Sequence, residues 1–498
     1  MNNVASKSYQ LLINGKWVDA SDGGTLKSYC PANGEYLSTM ANATKEDVDA
    51  AVKAAWQAFD SWKATSPEQR MNMLLKIADI MEENKEKLAM LECLDNGKPI
   101  WEEMNFDIPG SIDHFRYFAG ACRTETGEAT MLNDELMSII LREPIGVVGQ
   151  IIPWNYPINM LSWKLAPVLA AGCCTVVKPS STACLGVIEF AKMISDVLPA
   201  GVFNLVTGSG SKSGQYLLDH PDITKLAFTG STEVGLDVAR AAAEKIIPAT
   251  LELGGKSAVI VFDDAKDLDQ VVEGVQMGIL INQGQICCAG SRVFVQEDIY
   301  DAFVEKAVAA FNNVKMGMPW ERDTMMGSQI SEAQAKKILD YVEIGKKEGA
   351  KVLCGGYHST ENGMDKGAFV APTLLAATND MRVAQEEIFG PVAVVIKFKT
   401  EEEVIAMAND SEYGLGGGVW TTDVNRAIRV SRAVQTGRMW VNCNNVVMAG
   451  APFGGYKRSG IGRETHRVIL EHYTEMKNVM FNLHEGVTGA PFGDNRWK

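Results

Sequence analysis

Leu226-Ala227-Phe228-Thr229-Gly230-Ser231-Thr232-Glu233-Val234-Gly235 is the stretch on which the fold turns. An apolar run stops at a glycine, and residues suited to starting a helix follow. A strand, a glycine turn and a helix start leave free backbone N–H groups at a helix N-terminus, where a pyrophosphate can bind. The spacing is neither Gly-x-Gly-x-x-Gly nor a P-loop, so glycines kept only for close helix–strand packing remain an equal alternative.

Outward from this stretch the same alternation recurs. Short apolar runs at 145–152, 175–177, 202–206 and 250–253 are separated by helical stretches at 158–171, 183–197 and 234–243. Strands alternating with helices predict right-handed crossovers and a largely parallel sheet. Ligands of such sheets sit beyond the carboxyl ends of the strands. A second alternation runs through 257–262, 292–295, 392–398, 417–420 and 439–441, so the chain is α/β with two such domains. Nearer the start, Thr44 is placed to cap a helix, with Asp47 three residues on. Val48, Val52, Ala55, Phe59 and Trp62 follow at helical spacing as its packing face. Residues 124–142 read as polar and strand-like. The segment from about Tyr473 can pair with them or with a neighbouring subunit.

A chain of 498 residues exceeds one ordinary core, which agrees with several domains. Its 46% hydrophobic and 22% charged residues are those of a globular protein. A net charge of −15 argues against a nucleic-acid or anionic-membrane partner, since both require a basic face. The N-terminal residues show no signal-peptide pattern, and the apolar run at 165–177 is too short to span a bilayer. The ten cysteines are scattered, apart from Cys173–Cys174 and Cys287–Cys288. They suggest reduced thiols in a cytoplasmic protein. No CxxC or HExxH pattern points to zinc, and no metal site is expected.

The informative residues of the first domain follow its strands, and that of the second, Cys287, lies at a predicted helix or loop end. Asn155, in Pro153-Trp154-Asn155-Tyr156-Pro157, is held between prolines as an oxyanion donor or as a turn cap. Lys178, in Lys178-Pro179-Ser180, can hold ribose hydroxyls or phosphate, or simply face solvent. Glu252, in Glu252-Leu253-Gly254-Gly255-Lys256, is a general base or half of a structural ion pair. Cys287, in Asn282-Gln283-Gly284-Gln285-Ile286-Cys287-Cys288, is a reactive thiol or a buried inert one.

This ordered set resembles the aldehyde dehydrogenase superfamily. Glu386-Glu387-Ile388-Phe389-Gly390-Pro391 and Pro452-Phe453-Gly454-Gly455-Tyr456-Lys457 extend the likeness, which runs from Asn14-Gly15-Lys16-Trp17 to Tyr473-Thr474. The resemblance implies an aldehyde dehydrogenase-like fold. A Rossmann-like cofactor domain would comprise 1–123 and 143–255, and a catalytic α/β domain 256–472. A small β oligomerisation element would comprise 124–142 and 473–498. It implies Cys287 as nucleophile, Glu252 as general base, and Asn155 with the Cys287 backbone N–H as oxyanion hole. The cofactor would lie on Gly230, Ser231 and Gly235, with Lys178 and Glu387 on the two riboses, Phe389 against the nicotinamide ribose and Trp154 in the cleft.

The same resemblance sets the expected chemistry. A thiohemiacetal on Cys287 gives hydride to the nicotinamide and becomes a thioester, which water then hydrolyses to the acid. Glu252 separates this branch from relatives that pass the acyl group to coenzyme A. Members that prefer NAD often carry a glutamate where this chain has Ser181, so NADP is expected to be accepted beside NAD. The run Gly462-Arg463-Glu464-Thr465-His466 is similar to that of members acting on small aliphatic aldehydes, with betaine aldehyde or an aminoaldehyde as the alternative. Trp163, Cys443 and Phe453 suggest a partly aromatic substrate tunnel. A homodimer or homotetramer is implied. The alternative of another class is a catalytically silent structural relative, as in lens crystallins.

Overall fold

The computed structural model describes residues 5–484. Its larger sheet has five parallel strands at the centre, in the order Ala249–Glu252, Lys225–Thr229, Val147–Ile152, Cys174–Pro179 and Phe203–Leu205. These are the five strands expected from the sequence. Both edges are antiparallel additions that periodicity did not reveal. The hairpin Leu11–Ile13/Lys16–Val18 closes one side, turning through Asn14 and Gly15 at φ 52° and 69°. Two left-handed residues in succession make the tight turn that suits the twist of a hairpin. Gly460–Ile461 closes the other side, against Leu251 and Glu252.

The second sheet has seven strands, in the order Lys351–Cys354, Thr373–Ala376, Val392–Phe398, Arg292–Gln296, Ala258–Val261, Gly416–Trp420 and Arg438–Val441. All pairings are parallel except that of the first strand. The five expected strands form one continuous block. A third sheet unites Glu128–Asn133, Leu136–Pro144 and Thr474–Asn482. The last of these pairs along its whole length with Leu136–Pro144 of the same chain. Met131, Leu132, Met476 and Phe481 on these strands are exposed. Residues 485–498 of the expected C-terminal element lie outside the described residues.

Helix Lys45–Lys63 begins with a reciprocal cap, in which the Thr44 hydroxyl accepts from the Asp47 N–H and the Asp47 carboxylate from the Thr44 N–H. Val48, Val52, Ala55, Phe59 and Trp62 are buried, as their spacing predicts. Among the described residues no helix is long and apolar enough to cross a membrane. All ten cysteines are free thiols.

The opening stretch folds as strand Lys225–Thr229, a turn, and helix Thr232–Lys245. Its glycines serve packing. A Cβ at Gly230 would meet the Phe228 ring, and one at Gly235 would enter the side chain of Leu253. The helix thus packs directly on Leu253, the residue after Glu252. A Gly235→Ala substitution should push them apart and cost about 1–3 kcal/mol as an overpacked contact. A lowered thermal unfolding midpoint would register this; an unchanged one would show that Leu253 relocates freely.

Candidate active site

A cleft of about 710 Å³ opens between loops of the two large sheets. Its wall brings together Trp154, Asn155, Gly230, Ser231, Glu252, Cys287, Glu387 and Phe389. Four expected residues stand outside that wall, Cys443 of the expected substrate tunnel among them, although Trp163 and Phe453 line it. Gly235 packs on Leu253. Ser181 is half-buried beyond the end of strand Cys174–Pro179. Lys178 is 3% exposed, not a surface lysine, and among the described residues its ammonium has no hydrogen-bond or ion-pair partner. Burial lowers its pKa to about 8.

The junction of the two halves is made by Gly254 and Gly255. A Cβ on Gly254 would lie 2.5 Å from the Glu387 carboxylate, and one on Gly255 would strike the Cys287 carbonyl. The Gly255 N–H donates to Glu387 Oε1 at 2.9 Å. Without side chains here, the strand end bearing Glu252 can lie against the loop bearing Cys287.

That loop is bent by successive left-handed residues, Asn282, Gln283 and Gly284, at φ 47°, 53° and 73°. For the two non-glycine residues this conformation costs energy unless the surroundings enforce it. Here they do. Glu102 Oε2 accepts from the Asn282 N–H at 2.8 Å, and Asn282 Nδ2 donates to the Asn155 carbonyl at 2.7 Å. Asn155 Nδ2 in turn donates to the Gln285 carbonyl at 2.9 Å. An amide nitrogen has two protons, so one is left to donate towards the cleft. Among the described residues the Cys287 backbone N–H donates to nothing. Cys287 is partly exposed, whereas Cys288 is buried.

The electrostatics favour neutral forms. Burial, then the nearby Glu464, push the Glu252 carboxyl well above the usual range. Neither of its oxygens has a hydrogen-bond partner among the described residues, so it is not half of a structural ion pair. Glu464 itself is paired with Lys164 at 2.6 Å, both buried. The Cys287 thiol is also pushed up, by its hydrogen bond with Cys288 and by burial. A thiolate therefore needs a base to form.

The supporting layer beneath is charged. Lys98 lies 3.9 Å from the Tyr156 ring centroid, paired with Asp107 and 3.4 Å from Glu103. Oxygens of Glu92, Glu103 and Asp107 lie within 4.8 Å of one another. Lys98 supplies their positive charge, and burial pushes Glu92 and Glu102 up to about 8. Glu92 accepts from the Ile158 N–H at 3.3 Å, and Asn96 Nδ2 donates to the Trp154 carbonyl at 2.7 Å. This buried segment holds the Asn155 loop in place.

A nicotinamide dinucleotide fits the residues present. A Glu387 oxygen not used by Gly255 and the helix start at Ser231 line the cleft, while the unpartnered Lys178 stands outside its wall at the end of strand Cys174–Pro179. Phe389, at φ 61°, stands edge-on to Trp154 with ring centroids 5.4 Å apart, and its carbonyl accepts from Gln334 at 2.7 Å.

Comparison with known proteins then decides the family. The aldehyde dehydrogenase family model matches residues 17–479. The chain belongs to the aldehyde dehydrogenase family. As a member it is an NAD(P)-dependent aldehyde oxidoreductase, which displaces the silent structural alternative. It is 47% identical to an acetaldehyde dehydrogenase of Pseudomonas aeruginosa over 478 residues, 95% of this chain and 94% of that one. An aldehyde dehydrogenase of Bacillus cereus, solved with NAD+, superposes with a TM-score of 0.94 at 44% identity, covering 96% and 97% of the two chains. A betaine aldehyde dehydrogenase of Staphylococcus aureus, also solved with NAD+, gives 0.95 at 38% identity, covering 98% and 97%.

Sequence reasoning assigned no role to Asn282, Glu102, Gln334 or the Lys164–Glu464 pair. Asn282 and Glu464 gave a signal, standing inside the quoted Cys287 motif and the quoted run at 462–466. Asn282→Gly keeps the left-handed backbone and removes the amide that ties Asn155 to this loop. Turnover should fall roughly 10- to 100-fold through misplacement, with the cofactor KM little changed. Steady-state kinetics would check this, and equal loss in both constants would deny the positioning role.

Proposed function

We propose that the enzyme oxidises a small aliphatic aldehyde to its carboxylic acid through a covalent adduct on Cys287. The observation that carries this reading is the convergence of Cys287, Glu252 and Asn155 in one cleft. Glu252 takes the Cys287 proton, and the thiolate adds to the aldehyde carbon. The resulting oxyanion receives the spare Asn155 N–H and the Cys287 backbone N–H. When bound, the nicotinamide is the hydride acceptor that makes oxidation of the adduct to a thioester possible. Glu252 gives up the first proton to solvent and then draws one from water, which attacks the thioester; the acid leaves and the Cys287 thiolate takes a proton back. The presence of this carboxyl favours hydrolysis over transfer to coenzyme A.

Lys178, Ser181, Ser231 and Glu387 are the proposed contacts of the cofactor. With an uncharged Ser181 nothing there repels a 2′-phosphate, so both NAD and NADP are accepted. Residues 1–123 and 143–255 form the cofactor-binding domain, 256–472 the catalytic domain, and 124–142 with 473–498 the oligomerisation element. The exposed apolar side chains of the three-stranded sheet support a homodimer or homotetramer. The free thiols are suited to the cytoplasm. The acetaldehyde dehydrogenase relative favours a small aliphatic substrate, and betaine aldehyde is the alternative.

Cys287→Ala should abolish aldehyde-dependent reduction of the cofactor while binding of the cofactor persists. Asn155→Ala should cost about 100- to 1000-fold in kcat. Absorbance at the reduced nicotinamide band and a cofactor titration read both, and substantial turnover by the Cys287 variant overturns the reading. Because Glu252 and Cys287 both hold their protons more tightly than usual, kcat/KM should rise with pH above neutrality as they ionise. Glu464→Gln removes a like charge and leaves Lys164 unpaired, so the Glu252 pKa falls. The rising limb should then move to lower pH; a shift to higher pH would contradict the assignment.

A further inference from the structure

The far wall of the cleft is built from two facing helices, Ile108–Ala121 and Pro157–Ala170. Each offers two residues one turn apart, Gly110 and His114 on one, Asn159 and Trp163 on the other. The pairs match across the gap. A Cβ on Gly110 would lie 3.3 Å from Asn159 Nδ2, so glycine makes room for that amide. One turn along, the His114 ring stacks on Trp163, with centroids 5.5 Å apart and planes at 25°. All four residues line the cleft, among apolar side chains such as Met160, Val447 and Phe453.

Three polar groups in this apolar setting are poorly employed. Asn159 Nδ2 makes only long contacts, 3.3 Å to the Asp107 carbonyl and 3.4 Å to the Ser111 hydroxyl. Its Oδ1 accepts no hydrogen bond from the described residues. His114 Nδ1 faces the Gly110 carbonyl at 2.7 Å, so it carries the proton, and burial disfavours the charged ring. Nε2 is then a bare acceptor, and it is buried without a partner among the described residues. Trp163 Nε1 is a donor in the same state. Buried polar atoms left without partners cost free energy that a substrate hydroxyl can recover.

We propose that Asn159, His114 and Trp163 recognise a hydroxyl on the carbon chain of the aldehyde, so that the enzyme prefers short hydroxyaldehydes to their unsubstituted counterparts. The hydroxyl donates to Asn159 Oδ1 or His114 Nε2 and accepts from Trp163 Nε1. The inference rests on aldehyde oxidation at Cys287 and names the substrate class of that site.

The test compares kcat/KM for three pairs, glycolaldehyde with acetaldehyde, 3-hydroxypropanal with propanal, and 4-hydroxybutanal with butanal. Each is corrected for hydration and assayed with the full chain and NAD. In at least one pair the hydroxylated member should be favoured tenfold or more. Asn159→Leu, His114→Phe and the near-isosteric Trp163→Phe should each reduce that ratio several-fold, whereas a structural defect lowers both members together. The proposal fails if no pair favours the hydroxyl, or if the ratio survives all three substitutions. A Cys287-dependent burst of reduced cofactor with propanal keeps the catalytic reading standing in that event. No burst with any aldehyde sinks both.

Discussion

The active site depends on the absence of two side chains. Gly254 and Gly255 let the end of one parallel sheet lie against a loop of the other, with the Cys287 carbonyl and the Glu387 carboxylate in the space that β-carbons would fill. Any larger residue would separate Glu252 from Cys287. The Gly255 N–H also anchors Glu387, so one contact fixes both the catalytic and the cofactor side of the cleft.

Around this junction the protein keeps charge scarce and mostly neutralised. Lys164 faces Glu464, and Lys98 faces several carboxyls that burial drives toward their protonated forms. Lys178, Lys256 and Glu252 are exceptions, buried and without a hydrogen-bond or ion-pair partner among the described residues. Structural ion pairs lie in the shell, and unpaired groups lie where chemistry or a ligand is expected. Buried groups whose charge state is disfavoured are common at working sites for this reason.

Much of this was legible in the sequence. The central strands of both sheets follow from alternating apolar runs and glycine breaks; Asn155 and Glu252 stand out at strand ends and Cys287 beside glycine turns, and only the family resemblance gave the three their roles. The edge strands of the first sheet were not legible. Gly460–Ile461 is two residues long and carries no period, and Leu11–Ile13 is hardly longer. Nor could sequence reveal that Asn282 bridges Glu102 and Asn155, because that bridge joins three distant segments. Lys178 shows the same limit from the other side. A single lysine gives no hint of burial; only the packed sheet does.

The strand at Gly460–Ile461 also bears on how the chain reaches its native state. It completes the first sheet beside Leu251 and Glu252, but it is made only after the entire second sheet. Thr474–Asn482, later still, zips onto Leu136–Pro144. A nascent chain emerging from the ribosome thus presents an open sheet edge next to Glu252 until nearly all residues are available. Pairings this distant in sequence are slow to close and leave edges exposed to the wrong partner meanwhile. The site is assembled last, and only by a chain that has folded throughout.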